Sequence, residues 1–469
     1  MTPLSIESLG VVTSVGLNVA QTMGSLLTGL SKPKAVPIVG PDGRPLRVCA
    51  APLSSGRGDG FARVTSMARM ALAECAGEIA EPLPLVLCCP AFDALPLDHG
   101  ALVRALTSTG AVDAAGTRVL SGGGHAAIGP AFLEAAKILA LGEHRACLVG
   151  ALDTMLDVGR LARLMTAERI ASDRTPDGFM PGEGAAFFRV SLAHGGGVQI
   201  AGVGMTSEQA TRDSGKVTGR AQADAARSAL AAAGARMDAI SLLATDLTGE
   251  RHRFAEIAFA KLRLRPSQGQ TLERFSLGTS LGETGCALGA LSVAYLAVAL
   301  ERGWIAPGAT AGMYLGADDG SLRCAVLLKR HAGGAALVRS PLVDDAGLSL
   351  EKRQEFLGWL VKAHLTEVNG FGDRLRYLRR NPQKARPNEA RGVFSRCATH
   401  AAAIAMLGDG ALPIIGQRAA VRIKHPEDAF AFGFAVAALG KDIETRWRGL
   451  SDEARAHAVH GVEVARYLA

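Results

Sequence analysis

The sequence predicts a large α/β body followed by a small all-α C-terminal domain. Through residue 330, short apolar runs alternate with Ala-rich helical patterns, as in layered strands and helices. Hydrophobic residues make up 48% of the chain and aromatic ones only 5%, so the core is built from Ala, Val, Leu and Ile rather than stacked rings. Beyond His331 the pattern changes, and helical periodicity replaces the strand series.

Strands are expected where β-branched and apolar runs are bounded by turn residues: 5–13, 85–89, 118–120, 146–150, 185–190, 197–203, 240–244 and 323–329. Helices are expected between them, at 19–27, 60–76, 99–107, 126–141, 219–233, 253–262 and 286–301. The segment 286–301 is apolar on nearly every face, which predicts a centrally buried helix. The body is expected to span 1–330, split into halves of about 1–195 and 196–330, although no internal repeat is visible in the sequence. The Gly- and Ala-rich stretch within 331–349 reads as a linker, and 350–469 as a helical domain with helices at 350–367, 391–407, 427–439 and 452–467.

A formal charge of +7 with interspersed signs gives no basis for a nucleic-acid role, while an acidic protein partner is compatible with it. The start lacks a basic region followed by an apolar one, and no apolar stretch is long enough to span a bilayer, so a cytoplasmic protein without membrane attachment is expected. The eight cysteines show neither a CxxC pair nor Cys/His ligand spacing, so buried reduced thiols are expected, with no metal and no cofactor.

Three segments in order resemble the β-ketoacyl synthase family. They are Leu9 to Asn18 with Leu26 to Ser31; Ala146 to Asp153 with the DGFMPGEGAA run from Asp177 to Ala186; and the glycine-punctuated Ser280 to Leu291. The resemblance covers residues 9 to about 330 and implies a thiolase-like five-layer αβαβα fold of two similar halves. It also implies a cysteine nucleophile at a buried helix start, two histidines that meet developing negative charge, and a supporting lysine.

The matching positions here hold other residues. The nucleophile position falls on His125, the first histidine on Thr245 or Asp246, the second on Glu283, and the lysine on Gly278. The family's Gly-rich loop corresponds to Tyr314 to Ser321, which carries Asp318 and Asp319. The chain is therefore identified as a degenerate member lacking the Cys/His/His set. His125 at a helix start is expected neutral, since the helix dipole disfavours imidazolium there.

Weaker candidates are Ser121 with His125 as a substitute nucleophile and base, and Cys286 at a helix start, where a thiol pKa can fall. The resemblance implies a non-catalytic subunit, a homodimer or a heterodimer with a ketosynthase, that binds an acyl carrier protein or an active ketosynthase. The alternatives are an acyltransferase acting on thioesters with reassigned residues, and an adaptor for assembly or delivery of a partner. The basic run Arg374, Arg376, Arg379, Arg380, Lys384, Arg386 and Arg391 reads as a solvated loop and helix face, with docking of an acidic carrier protein as its functional counterpart.

Overall fold

The computed structural model describes residues 2–27, 31, 33–53, 59–77, 81–193, 195–209, 216–264, 272–302, 309–333, 337, 366, 368–384, 425–431 and 458. By its internal contacts the chain divides into two compact units, Met1–Thr22 with Leu30–Arg339, and Met23–Gly29 with Ser340–Ala469.

The first half of the chain's α/β part runs β1 (Leu4–Thr13), α1 (Val19–Leu27, whose residues from Met23 on fall in the second unit), β2 (Lys34–Val39), β3 (Pro45–Val48), α2 (Gly60–Ala76), β4 (Leu85–Cys89), α3 (His99–Thr107), β5 (Arg118–Ser121), α4 (Ile128–Ala140), β6 (Cys147–Thr154), α5 (Val158–Thr166) and β7 (Glu183–Leu192). The second half runs β8 (Gly197–Ser207), α6 (Arg220–Ala232), β9 (Leu242–Thr245), α7 (Arg251–Leu264), β10 (Glu273–Ser276), α8 (Gly278–Leu281), α9 (Ala287–Arg302), β11 (Ala311–Ala317) and β12 (Leu322–His331).

The repeat that the sequence hides is plain in the topology. The first half orders its strands β5-β4-β6-β7-β1 and the second β10-β9-β11-β12-β8, which is one pattern used twice. The two five-stranded sets meet edge to edge at β1 and β8, paired only through Leu4 with Ile200 and Ser5 with Gln199. Helices α4 and α9 touch strands of both sets, whereas α2 with α3, and α6 with α7, each cover one set. The result is the five-layer αβαβα arrangement.

Each half also needs one glycine for the same reason. A Cβ on Gly10 of β1 would lie 1.9 Å from the Ala71 carbonyl oxygen of α2, and a Cβ on Gly204 of β8 would lie 1.9 Å from that of Ala225 in α6. The first strand and first helix of each half approach too closely for a side chain.

Helix α9 is buried from Ala287 through Leu300, as its all-round apolar character requires. The DGFMPGEGAA run has a structural explanation. Glu183, fully buried, accepts hydrogen bonds from Ala51 N, Arg63 Nε and Thr154 Oγ1, each at 2.8 Å. Gly182 and Gly184 on either side leave room for Leu281 and Leu291.

Several elements escaped the sequence pattern. The β2–β3 hairpin, α5, α8 and β10 are among them, and all but α5 are six residues or shorter. The stretch expected as a loop from Tyr314 is strand β11 through Ala317, buried along its whole length, and only then turns. No described helix is long and apolar enough to cross a membrane.

In the smaller unit, residues 368–380 and 426–431 are helical. Much of the basic run thus lies on a helix, and it is partly neutralised. Arg376 pairs with Asp428 and Asp373, and Arg379 Nη1 lies 2.9 Å from Glu427 Oε1. Arg386, Arg391, the expected helices at 350–367 (apart from residue 366), 391–407 and 452–467 (apart from residue 458), and residues 432–439 of the expected helix at 427–439 fall outside the described residues.

Candidate functional site

Strand β5 ends in a turn that only glycines suit. Gly122, Gly123 and Gly124 take φ values of 91°, 79° and 47°, in the left-handed region where an L side chain is strained. This turn delivers His125 into a short 3₁₀ segment ahead of α4. The His125 backbone is fixed from two sides: its carbonyl accepts a 2.9 Å hydrogen bond from Tyr314 Oη, and α9 packs so near it that a Cβ on Gly289 would lie 2.3 Å from the same oxygen.

Three residues distant in sequence converge here. His125 Nε2 lies 2.7 Å from Glu283 Oε1, and its Nδ1 lies 3.2 Å from Asp246 Oδ2. Asp246 follows β9, and Glu283 sits in the Gly282 to Gly285 turn between α8 and α9. Both carboxylates accept from further donors. Asp246 accepts from one guanidinium nitrogen of Arg253 at 2.6 and 2.8 Å, and from Ala317 N at 2.8 Å. Glu283 accepts from Gly285 N at 2.7 Å and from Thr248 Oγ1 at 3.0 Å.

The charges continue in alternation into the second half. Arg253 also pairs with Glu256, whose other oxygen lies 2.6 Å from Arg323 Nε. From Glu283 through His125, Asp246, Arg253 and Glu256 to Arg323, each buried charge is flanked by opposite ones, which is the condition for burying them at all.

These contacts set the protonation. Burial alone would lower the pKa of His125, but Glu283 and Asp246 outweigh it and raise the value to about 10. Burial would raise both carboxyl groups, yet Arg253 and His125 hold Asp246 well below the usual range, and His125 with the Gly285 amide lowers Glu283. His125 is therefore an imidazolium at neutral pH, correcting the neutral form expected from the helix dipole alone: two carboxylates in contact overcome a partial charge. With both N–H groups donated, the ring has no lone pair for base or nucleophile work.

The other candidates separate. Ser121 Oγ donates to the Pro90 carbonyl at 3.1 Å and is no partner of His125. Thr245 Oγ1 faces the neighbouring strand, 3.4 Å from the Phe275 carbonyl, so Asp246 is the residue that reaches the site. Cys286 is buried, donates to the Leu152 carbonyl at 3.1 Å, and has its pKa pushed up by burial and then by Asp153, opposite to the helix-start expectation. Gly278 leaves no room for a side chain, since a Cβ would lie 2.2 Å from the Leu247 carbonyl oxygen. Asp318 caps its own turn through Leu322 N at 2.8 Å, and Asp319 pairs with Arg169.

Sequence reasoning missed Arg160, Asp153 and Arg169. Asp153 Oδ1 lies 2.5 Å from Arg160 Nη1, and its Oδ2 accepts from Cys286 N at 3.0 Å. A Cβ on Gly285 would fall 1.8 Å from that same Oδ2, which explains the glycine. Arg169 is held by Glu250 at 2.7 and 2.9 Å. All three residues line a cavity of about 370 Å³ together with His125, Glu283 and Cys286. The available signal was the placement of Asp153 at the end of the strand with the family-like pattern.

No protein-family model matches the chain, and no curated protein matches it in sequence. Solved structures do match the fold. A type II PKS acyl-carrier protein in complex with its ketosynthase bound to the hexaketide matches with a TM-score of 0.59 and 14% identity, covering 70% of this chain and 99% of that one. The ishigamide ketosynthase/chain length factor matches with a TM-score of 0.56 at 15% identity over 70% and 99% of the two chains. A beta-ketoacyl synthase from Burkholderia phymatum STM815 gives 0.55 at 18% identity over 70% and 100%. At such identities the likeness establishes a ketosynthase-type, thiolase-like fold.

Proposed function

We propose that this chain is a ketosynthase-like protein without condensing activity, acting as a non-catalytic subunit that binds an acyl carrier protein or an active ketosynthase. The observation that carries this reading is the pair of contacts from His125 to Asp246 and Glu283. Condensation needs a thiolate at the helix start and donors facing an enolate. The positions that the resemblance assigns to those groups hold instead a cation between two carboxylates, each already satisfied.

Cys286 is the thiol that lines the cavity, and its burial and raised pKa oppose thiolate formation. Matching structures that include a ketosynthase with a chain length factor and a ketosynthase with its carrier protein support the class of partner. The intact mass after incubation with acyl-CoA and acyl-carrier-protein thioesters tests the first part. An unchanged mass is expected; a stoichiometric acyl adduct on Ser121, His125 or Cys286 would instead support the reassigned acyltransferase. Co-migration with a ketosynthase or carrier protein in size-exclusion chromatography tests the second part, and no shift with either would leave the subunit reading without support.

A further inference from the structure

Helix α7 turns an apolar stripe to the outside of the second half. Phe254 is 49% exposed and Leu262 is 72% exposed. Ala258, also exposed, stands between them, so the three share one face at successive i, i+4 positions. Together with Ile257 they line a shallow groove whose flank carries Lys261 and Arg274.

No carboxylate among the described residues compensates those two cations. Among the described residues neither forms an ion pair, although Arg253 on the same helix has Asp246 and Glu256. Lys261 has its pKa lowered, first by burial and then by repulsion from Arg274. An anion brought to this groove would relieve that repulsion while an apolar face covered the stripe.

We infer that the outer face of α7 docks an acidic amphipathic helix of a partner protein, with the partner's apolar residues on Phe254, Ala258 and Leu262 and its carboxylates on Lys261 and Arg274. A second copy of this chain fits the face less well. A two-fold contact through this face would bring the Lys261 and Arg274 cations of both copies into one interface, with no acid on the stripe to offset them. The inference adds a surface to the partner-binding reading but does not rest on it.

The test uses the full chain and a fluorescent, stapled helical peptide with leucines along one face and glutamates flanking them, beside the same peptide with lysines for the glutamates. Fluorescence anisotropy is expected to show binding of the glutamate peptide only, weakened by salt. Leu262→Asp, and separately the Lys261→Glu/Arg274→Glu pair, should each weaken it roughly tenfold or more, and the charge-reversed pair should instead bind the lysine peptide. Circular dichroism and thermal melting of each variant check the fold, which substitutions at this outer face should leave intact. Equal binding of both peptides, no binding of either, or indifference to both variants would overturn the proposal. So would a concentration-dependent dimer dispersed by Leu262→Asp, which would assign the face to a second copy.

Discussion

His125 and Glu283 stand 158 residues apart in sequence and meet through a 2.7 Å contact between imidazole Nε2 and carboxylate Oε1, inside a site where Asp246 occupies the other ring nitrogen. The contact joins the first half of the fold to the second and fixes the charge on both partners.

Replacing the cation tests its structural weight. His125→Gln leaves two buried carboxylates facing each other with only a neutral amide between them, and breaking a buried pair in this way costs about 3–5 kcal/mol. A fall of that size in unfolding free energy by denaturant titration is expected. Glu283→Gln should cost less, because the imidazole can then release its proton.

Stability should follow pH from both sides. The pKa of His125 rises from 6.5 unfolded to about 10 folded, so its contribution is full below pH 6.5 and fades as pH rises toward 10. Asp246 and Glu283 are lowered from 3.8 and 4.5, so theirs is full above those values and is lost as pH falls through the folded ones. Guanidinium midpoints measured against pH should therefore plateau between about 5 and 6.5, and the decline between 6.5 and 10 should flatten in His125→Gln.

Four buried cysteines should resist alkylation in the native state. Cys88, Cys147 and Cys324 have pKa values pushed up to about 12, mainly by burial, and Cys286 is raised well above the ordinary value. Iodoacetamide at mildly alkaline pH, followed by peptide mass mapping, is expected to leave these four unmodified until the protein is unfolded. Rapid native labelling of Cys286 would contradict the geometry around it.

Two buried features can be probed by addition and removal of bulk. Gly285→Ala sets a Cβ against the Asp153 carboxylate at a φ of 55°, and a loss of about 3 kcal/mol is expected from the combined clash and strain. Arg63→Met takes the paired cation from buried Glu183, leaving the Ala51 amide and Thr154 hydroxyl as its donors, and should cost about 3–5 kcal/mol, whereas the double change Arg63→Met/Glu183→Leu should recover part of that loss. Urea denaturation of the three variants checks both.

The layering was legible because long elements carry their periodicity openly. Helices α1, α2 and α3 and strand β4 take the bounds that apolar spacing predicted. Strand β11 was not, since its residues from Tyr314 on were matched, with Asp318 and Asp319, to the Gly-rich loop of the resembling family. The duplication was invisible because it resides in strand order and in single glycines such as Gly10 and Gly204, which local spacing does not report. His125 and Glu283 were found as isolated positions, but the charge on His125 was misjudged. It depends on Asp246 and Glu283 lying at the same point in space, which no local pattern encodes.

The seam between β1 and β8 holds only two residue pairs, so ladder hydrogen bonds do little to hold one half to the other. The shared α4 and α9 layer holds the halves by packing, and matched charge adds to it: the first half presents a cation at His125, and the second presents acids at Asp246 and Glu283. A backbone cut at residues 193–196 would leave each five-stranded set intact and each fragment with a charge lacking its mate. Fragments produced apart should find each other by complementation, with the imidazole acting as the key and the paired acids as the lock.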